Sequence, residues 1–174
     1  MITYTIESEN STDHWPYFNV DNHNVLDLGC GRWYTKDTEE LSPIFFGKKA
    51  NKVIGVDGNG DDILFYINET KDDPKYVFKT EHISSVDQVK KLINEYSITA
   101  LKCDIEGAEV ILLDLTKEDL NNITELAMEF HSEELKQSYL NKVIEWGFDI
   151  KVKANFARTP DHMGVLFCSK PQNS

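Results

Sequence analysis

The stretch VLDLGCGRW, residues 25–33, decides the fold that we expect for this chain. Its first half is apolar except for Asp27 and has the length of a buried strand. Its second half contains Gly29 and Gly31, and glycines in such a turn let the backbone approach a ligand closely. In open α/β sheets, ligands bind outside the carboxyl ends of the strands. The stretch therefore predicts an α/β fold with a ligand site after its first strand.

The rest of the chain alternates short apolar or β-branched runs with longer helical patterns. This alternation indicates a mostly parallel sheet with helices on both faces. A length of 174 residues, of which 40% are hydrophobic, is enough for one core, so we expect a single domain. Seven strands are predicted, at residues 24–28, 52–57, 76–79, 99–105, 125–131, 148–155 and 163–168.

Two helices and a hairpin can also be placed. Ser85 and Gln88 fit a capping box in front of apolar residues at helical spacing, which predicts that a helix begins there. A second helix is predicted over 133–146, with Gly147 as its stop. The connection between the last two strands, 157–162, is too short for a parallel crossover. These strands should therefore form an antiparallel hairpin at one edge of the sheet.

The composition excludes several classes of partner. Thirty acidic and eighteen basic residues give a net charge of -12, which repels phosphate backbones and anionic lipid headgroups. The first residues lack the pattern of a signal peptide, and no later segment is apolar for long enough to span a bilayer. We expect a soluble cytoplasmic protein that binds neither nucleic acid nor membranes, with a polar leader at 1–23, one domain at 24–170 and a tail at 171–174.

The glycine turn narrows the class of ligand. A dinucleotide fingerprint needs a third glycine at position 34, where this sequence has Tyr34, so hydride chemistry is disfavoured. An acid before the turn would repel a pyrophosphate but suits a ligand with an amine and a sulfonium. The pattern of Asp27, Gly29 and Gly31 resembles the first motif of class I S-adenosylmethionine-dependent methyltransferases. This resemblance implies that the three residues bind S-adenosylmethionine, the methyl donor.

A second acid follows the second predicted strand. Asp57 ends the run KVIGVD, and Gly58 comes next. An acid at this place can accept hydrogen bonds from both hydroxyls of a ribose. All residues of 57–60 are turn formers, so a plain turn is the alternative. Together with the first glycine turn, the pattern favours donor binding by Asp57 and Gly58, and residues 81–83 are a further candidate for contact with adenine.

Charged residues gather at the ends of two further strands. In the stretch LKCDIEG, strand alternation places Lys102, Asp104 and Glu106 on one face. The next strand ends in Glu129 and His131, and successive strands of such a sheet are usually neighbours. We therefore expect Asp104, Glu106, Glu129 and His131 to converge near the donor.

Some of these charges have structural interpretations. A lysine in a covered sheet must be paired, so Lys102 should neutralise one of the carboxylates. Glu109 should lie in the first turn of a helix, where the helix dipole favours an acid. For His131, the sequence leaves open a role in catalysis or binding and an ordinary position at a strand end.

The same region resembles a specific family. Residues 84–113, SSVDQVKKLINEYSITALKCDIEGAEVILL, and residues 125–131, ELAMEFH, are similar to the FkbM family of methyltransferases, whose hallmark is K-x-D-x-E-G-x-E followed by an E-x-H strand end. The resemblance implies a Rossmann-like methyltransferase fold and O-methylation of a hydroxyl on a sugar or small metabolite. It places at the reaction face Asp104, Glu129 and His131, which we assign to catalysis, and Glu106, which we assign to the donor.

The acceptor hydroxyl must lose its proton during such a reaction, and two arrangements are open. We prefer His131 as a general base. The alternative is a divalent cation held by Asp104 with Glu106 or Glu129.

Two other functions remain open from the sequence. The chain is small, which leaves little material for a deep acceptor pocket, and Trp33 stands where the class I motif has its third glycine. Both observations are compatible with an S-adenosylmethionine-binding module without catalysis. A nicotinamide-dependent oxidoreductase is the third alternative, and Tyr34 speaks against it.

Overall fold

The computed structural model of the chain describes residues 4–8, 15–32, 37–71, 73–156 and 163–171. Its strands are β1 Tyr4–Ser8, β2 Asn24–Leu28, β3 Lys52–Asp57, β4 Tyr76–Thr80, β5 Ala100–Cys103, β6 Glu125–Phe130, β7 Asp149–Phe156 and β8 Gly164–Ser169. They form one sheet in the order β1-β7-β8-β6-β5-β2-β3-β4.

β2 lies inside the parallel part of the sheet. It pairs in parallel with β3 on one side and with β5 on the other. Its residues from Val25 to Leu28 are completely buried, as expected for a strand covered on both faces. Because parallel strands end at the same edge, the carboxyl ends of β2, β3 and β5 lie side by side.

The α-helices are α1 Ser42–Gly47, α2 Gly60–Thr70, α3 Val86–Glu95 and α4 Glu133–Trp146, and shorter 3-10 helices cover Trp15–Tyr17, Thr38–Glu40 and Glu109–Asp114. Their ends follow local chemistry. The Asn59 side chain caps α2 by accepting a hydrogen bond from the Asp61 amide at 3.0 Å. Gly147 ends α4 with φ +86, a conformation that favours glycine. Within the described ranges, no helix combines the length and the apolar character that crossing a membrane requires.

Helices cover both faces of the sheet. On one face, α3 and α4 pack against a cluster that includes Leu26, whereas Val25 belongs to a cluster on the opposite face with Phe46 of α1. Phe18 and Val20 also belong to this second cluster and are almost completely buried. The segment that we expected to be a polar leader therefore contributes to the core.

The predicted fold class, a mostly parallel α/β sheet with helices on both faces and an antiparallel C-terminal pair, is confirmed. All seven predicted strands are present, and β1 adds an eighth from the expected leader. Because β1 pairs in parallel with β7, the hairpin of β7 and β8 does not form the edge of the sheet as predicted. β8 instead lies between β6 and β7 and is antiparallel to both.

Glu125, the first residue of β6, makes stability depend on pH. Burial raises its pKa from 4.5 to about 7, and Lys151 only partly opposes this shift. Between these two values the folded state binds the proton more tightly than the unfolded state, so stability falls as the pH rises. Glu125→Gln should remove the effect and stabilise the protein by about 1 to 2 kcal/mol at pH 8, with little change near pH 4. Urea unfolding at both pH values measures this difference, and an equal gain in stability at both would contradict the role of Glu125.

Candidate functional site

A cavity of about 310 Å³ opens at the carboxyl ends of the parallel strands. Its volume lies in the range of small-ligand sites, and its position is where ligands bind in open α/β sheets. The walls come from the segments that follow β2, β3, β4 and β5. The residues that line it are Gly29, Gly31, Val56, Asp57, Gly58, Glu81, His82, Ile83, Asp104, Ile105 and Glu106.

Gly29 lets the turn after β2 lie against the end of β5. Its φ is +72, and a Cβ atom there would overlap the carbonyl oxygen of Asp104. The amides of Gly29 and Cys30 donate to the carbonyl of Val56 at 2.9 and 3.3 Å, and the Asp104 amide donates to the carbonyl of Leu28 at 2.9 Å. The turn is thus bound to both neighbouring strands, and only glycine fits its first position.

Asp27 lies behind the cavity. Its side chain is inaccessible to solvent, and its Oδ1 is 2.9 Å from the Lys102 Nζ. The Ser42 hydroxyl donates to Asp27 Oδ2 at 2.6 Å, and Lys102 also donates to the carbonyl of Gly29 at 2.8 Å. The prediction that Lys102 is paired is confirmed. Asp27 is not among the residues that line the cavity, so its predicted contact with the donor stays a prediction, and in the structure it holds the lysine that binds the glycine turn.

The Asp27–Lys102 pair is shielded from water. Burial raises the pKa of Asp27, and the Lys102 ammonium and the Ser42 hydroxyl oppose that rise. Burial also acts to lower the pKa of Lys102, but the carboxylates of Asp27 and Asp104 outweigh it and raise the pKa. Lys102 therefore remains a cation at neutral pH and serves as a fixed charge beside the site.

Asp57 lines the cavity at the end of β3. Its Oδ1 accepts a hydrogen bond from the Asn59 amide at 2.8 Å, which forms the local turn named above as the alternative. A Cβ atom on Gly31 would lie 3.2 Å from Asp57 Oδ2, so this carboxylate reaches towards the first glycine turn. The Arg32 amide donates to Asp62 of α2 at 3.0 Å and holds that turn in place. The turn and a ligand role for Asp57 are therefore compatible.

The remaining wall of the cavity follows β4 and β5. Glu81, His82 and Ile83, the segment predicted to contact adenine, line it together with Glu106. Ile83 is almost completely buried and gives this side an apolar surface. Gln88 of α3 donates to Glu81 Oε1 at 2.9 Å, which connects the start of α3 to the wall.

A cluster of ionisable side chains adjoins the cavity. One ligand atom from each of Asp104, Glu129 and His131 lies within 4.8 Å of the others. The Nε2 of His131 is 3.5 Å from Glu129 Oε1, and its Nδ1 is 2.6 Å from Glu109 Oε1. Asp104 belongs both to this cluster and to the cavity wall, so the two features meet at one carboxylate.

The carboxylates determine the protonation of the cluster. The hydrogen bond with Glu129 raises the pKa of His131 to about 9 against the effect of burial, and Glu109 adds to the rise. Burial raises the pKa of Glu129 to about 7, with a further contribution from Asp104, although the hydrogen bond with His131 acts in the opposite direction. The raised pKa favours the protonated imidazole at neutral pH, so His131 would have to release this proton before it could act as a general base.

The structure brings Asp104, Glu129 and His131 together, whereas Glu106 lies in the cavity wall. Sequence reasoning missed Glu109, which was expected to interact only with the start of its helix. Its side chain is 4% exposed and bonds His131 across the site. The second acid of the E-G-x-E motif was the signal that could have found it. Trp33, Tyr34 and the predicted connection 157–162 lie outside the described residues.

Comparisons with known proteins agree on the fold. No protein-family model and no curated protein matches the sequence. SMU.1697c of Streptococcus mutans, solved in complex with SAH, is 16% identical with a TM-score of 0.59 and covers 92% of this chain and 96% of its own. An rRNA methylase from Streptococcus thermophilus is 17% identical with a TM-score of 0.59 and covers 93% of this chain and 95% of its own.

Fibrillarin from Aeropyrum pernix, solved with natively bound S-adenosyl-L-methionine, is 9% identical with a TM-score of 0.56 and covers 85% of this chain and 66% of its own. These similarities establish that the chain has the Rossmann-like fold of class I S-adenosylmethionine-dependent methyltransferases. Fold alone does not assign an activity, which must be argued from the site.

Proposed function

We propose that this chain is an S-adenosylmethionine-dependent O-methyltransferase acting on a hydroxyl of a sugar or small metabolite. The observation that carries the proposal is the position of Asp104, which belongs both to the cavity and to the cluster with Glu129 and His131. A donor site and a site for proton removal would then meet at one carboxylate. The shared fold supports the donor, and the resemblance to the FkbM family supports the acceptor class.

The residues around the cavity fit S-adenosylmethionine. A side chain at Gly31 would fill the space in front of the Asp57 carboxylate, so glycine keeps that space open. Asp57 can accept hydrogen bonds from ribose hydroxyls, and Ile83 offers an apolar surface to the adenine ring. We assign donor binding to Gly29, Gly31, Asp57, Gly58 and Glu106.

The protein's part in the reaction is to orient the acceptor and to remove its proton. When bound, S-adenosylmethionine supplies an electrophilic methyl group. Holding the acceptor hydroxyl in line with that methyl group contributes a large part of the rate acceleration. The pKa of His131 is raised to about 9 and that of Glu129 to about 7, so Glu129 is the more readily available of the two to accept the hydroxyl proton in the cation-free protein. His131 then holds Glu129 in place.

The charge of the protein limits the acceptor. The net charge of -12 and the carboxylates of Asp57, Glu81, Asp104 and Glu106 around the cavity disfavour polyanions. The rRNA methylase among the similar structures raises RNA as an acceptor, but an RNA backbone would be repelled here. We therefore propose that the acceptor is an uncharged hydroxyl compound, and methylation of RNA is included among the outcomes of the test.

The test uses S-adenosylmethionine with an isotopically labelled methyl group. The full chain is incubated with a panel of sugars and small hydroxyl compounds and, separately, with RNA. The proposal predicts transfer to a hydroxyl compound and inhibition by S-adenosylhomocysteine (SAH). Labelling of RNA alone would contradict the acceptor class. Binding of SAH with no transfer to any compound would favour the donor-binding module over the enzyme.

A further inference from the structure

We propose that Asp104, Glu129 and His131 form a binding site for one divalent cation, with Glu109 as the residue that positions His131. The sequence left open a cation held by carboxylates and a role for the His131 imidazole in catalysis or binding. The structure brings the imidazole within reach of two of these carboxylates and places a buried acid behind it. Binding of the cation does not depend on the proposed function, whereas its role in methyl transfer rests on it.

The geometry places three different ligand groups around one point. Asp104 follows β5, and Glu129 and His131 lie at the end of the adjacent β6, so two strands of the sheet fix their backbones. Two carboxylate oxygens and one imidazole nitrogen lie within 4.8 Å of one another, a spacing that allows all three to reach one ion. This mixture of oxygen and nitrogen ligands suits Mn²⁺ and related divalent ions.

Glu109 gives the imidazole the orientation that a ligand needs. In metal sites, the ring nitrogen that does not bind the metal usually donates to a carboxylate, a backbone carbonyl or water. Here Nδ1 of His131 is 2.6 Å from the buried Glu109 Oε1, so Nε2 is directed towards Glu129. Glu109 is itself fixed, because the Tyr139 hydroxyl donates to its backbone carbonyl at 2.7 Å.

Among the residues that the structure describes, the negative charges around the site exceed the positive ones. Asp104, Glu109 and Glu129 bring three carboxylates to one histidine. Lys102 lies 3.7 Å from Asp104, but its closer partner is Asp27, which takes up its charge. A divalent cation would offset the remaining negative charge at these partly buried side chains, where charge interactions are stronger than in bulk water.

The site adjoins the donor cavity, so a bound cation could coordinate the acceptor hydroxyl. Coordination lowers the pKa of an oxygen ligand. The hydroxyl proton would then pass to solvent, and the electron pair of the O–H bond would stay on the oxygen and form the new bond to the methyl carbon. The bond between that carbon and the donor's sulfur would break with its electron pair going to the sulfur, which leaves S-adenosylhomocysteine. Glu129 would serve as a ligand in place of accepting the proton itself.

The test measures Mn²⁺ binding to the chelator-treated full chain by electron paramagnetic resonance and calorimetry. We expect one Mn²⁺ per chain and hyperfine coupling to an imidazole nitrogen. Glu129→Gln and His131→Gln should each weaken binding about 10-fold or more, and His131→Gln should remove the nitrogen coupling. Glu109→Gln should weaken binding about 10-fold while keeping the coupling, because it removes only the positioning carboxylate.

Glu134→Gln is the matched control, because it removes an equal charge at an exposed position in the first turn of α4 without removing a ligand, and its Mn²⁺ affinity should change less than about 3-fold. Circular dichroism verifies that each variant is folded. No binding at about 1 mM Mn²⁺, or equal binding by wild type, Glu129→Gln and His131→Gln, would overturn the site. Methyl transfer by metal-free protein would remove the cation's role and leave the proposed function intact. Mn²⁺ binding without any transfer would leave the cation site intact and contradict the proposed function, together with the cation's role in it.

Discussion

Lys102→Met should destabilise the protein by about 3 to 5 kcal/mol, because it leaves Asp27 as an unpaired charge in the interior. Asp27 is inaccessible to solvent and lies 2.9 Å from the Lys102 ammonium. The variant also loses the hydrogen bond to the carbonyl of Gly29, so the glycine turn should loosen. Urea unfolding followed by circular dichroism measures the change.

The matched control is the double variant Asp27→Asn with Lys102→Met, which removes both charges together. It should recover more than half of the lost stability, since breaking a buried pair costs more than replacing it. The deficit of the single variant should also shrink at low pH, because an unpaired buried Asp27 has a raised pKa and its protonated form carries no charge. An equal loss of stability in the single and the double variant at every pH would contradict the interpretation that the broken ion pair causes the loss.

Asp104→Asn should lower the turnover of methyl transfer about 100-fold or more while leaving donor affinity within about 3-fold. The change preserves the shape of the side chain but removes the charge that the donor cavity shares with the cluster. Turnover is measured on the acceptor found in the labelled-methyl assay, and donor affinity by titration with SAH. His131→Ala should likewise lower turnover without loss of donor binding.

Asp114→Asn is the matched control for Asp104→Asn. It makes the same chemical change at the end of the 3-10 helix that follows, at an exposed position outside the site. Its turnover should equal that of the wild type. Full activity in both Asp104→Asn and His131→Ala would contradict the assignment of these two residues to catalysis.

The sequence predicted the parts of the fold that local patterns define. The glycine turn after β2 and the limits of α3 and α4 follow from caps, stops and apolar spacing within each element. β1 was missed because its place depends on pairing with β7, at the other end of the chain. The position of the hairpin inside the sheet was missed for the same reason.

In the candidate site, too, local patterns predicted some features, whereas others depend on contacts between distant parts of the chain. Strand alternation correctly predicted that Asp104 and Lys102 share a face, but not that the register sets Lys102 opposite Asp27. That pairing makes Asp27 the buried partner of Lys102, a role that strand alternation alone did not predict. Glu109 was assigned to its own helix because the dipole argument considers a single element. Its contact with His131, 22 positions away, arises only when the 3-10 helix packs beside β6.

Calorimetric titration with SAH tests most directly whether the cavity at the ends of β2, β3 and β5 binds S-adenosylmethionine. We predict one SAH per chain. Asp57→Asn should weaken binding about 10-fold, because the ribose loses a charged acceptor, whereas Asp61→Asn, an exposed change in α2, should not. No binding at about 1 mM SAH, or equal affinity in wild type and Asp57→Asn, would contradict donor binding by this cavity.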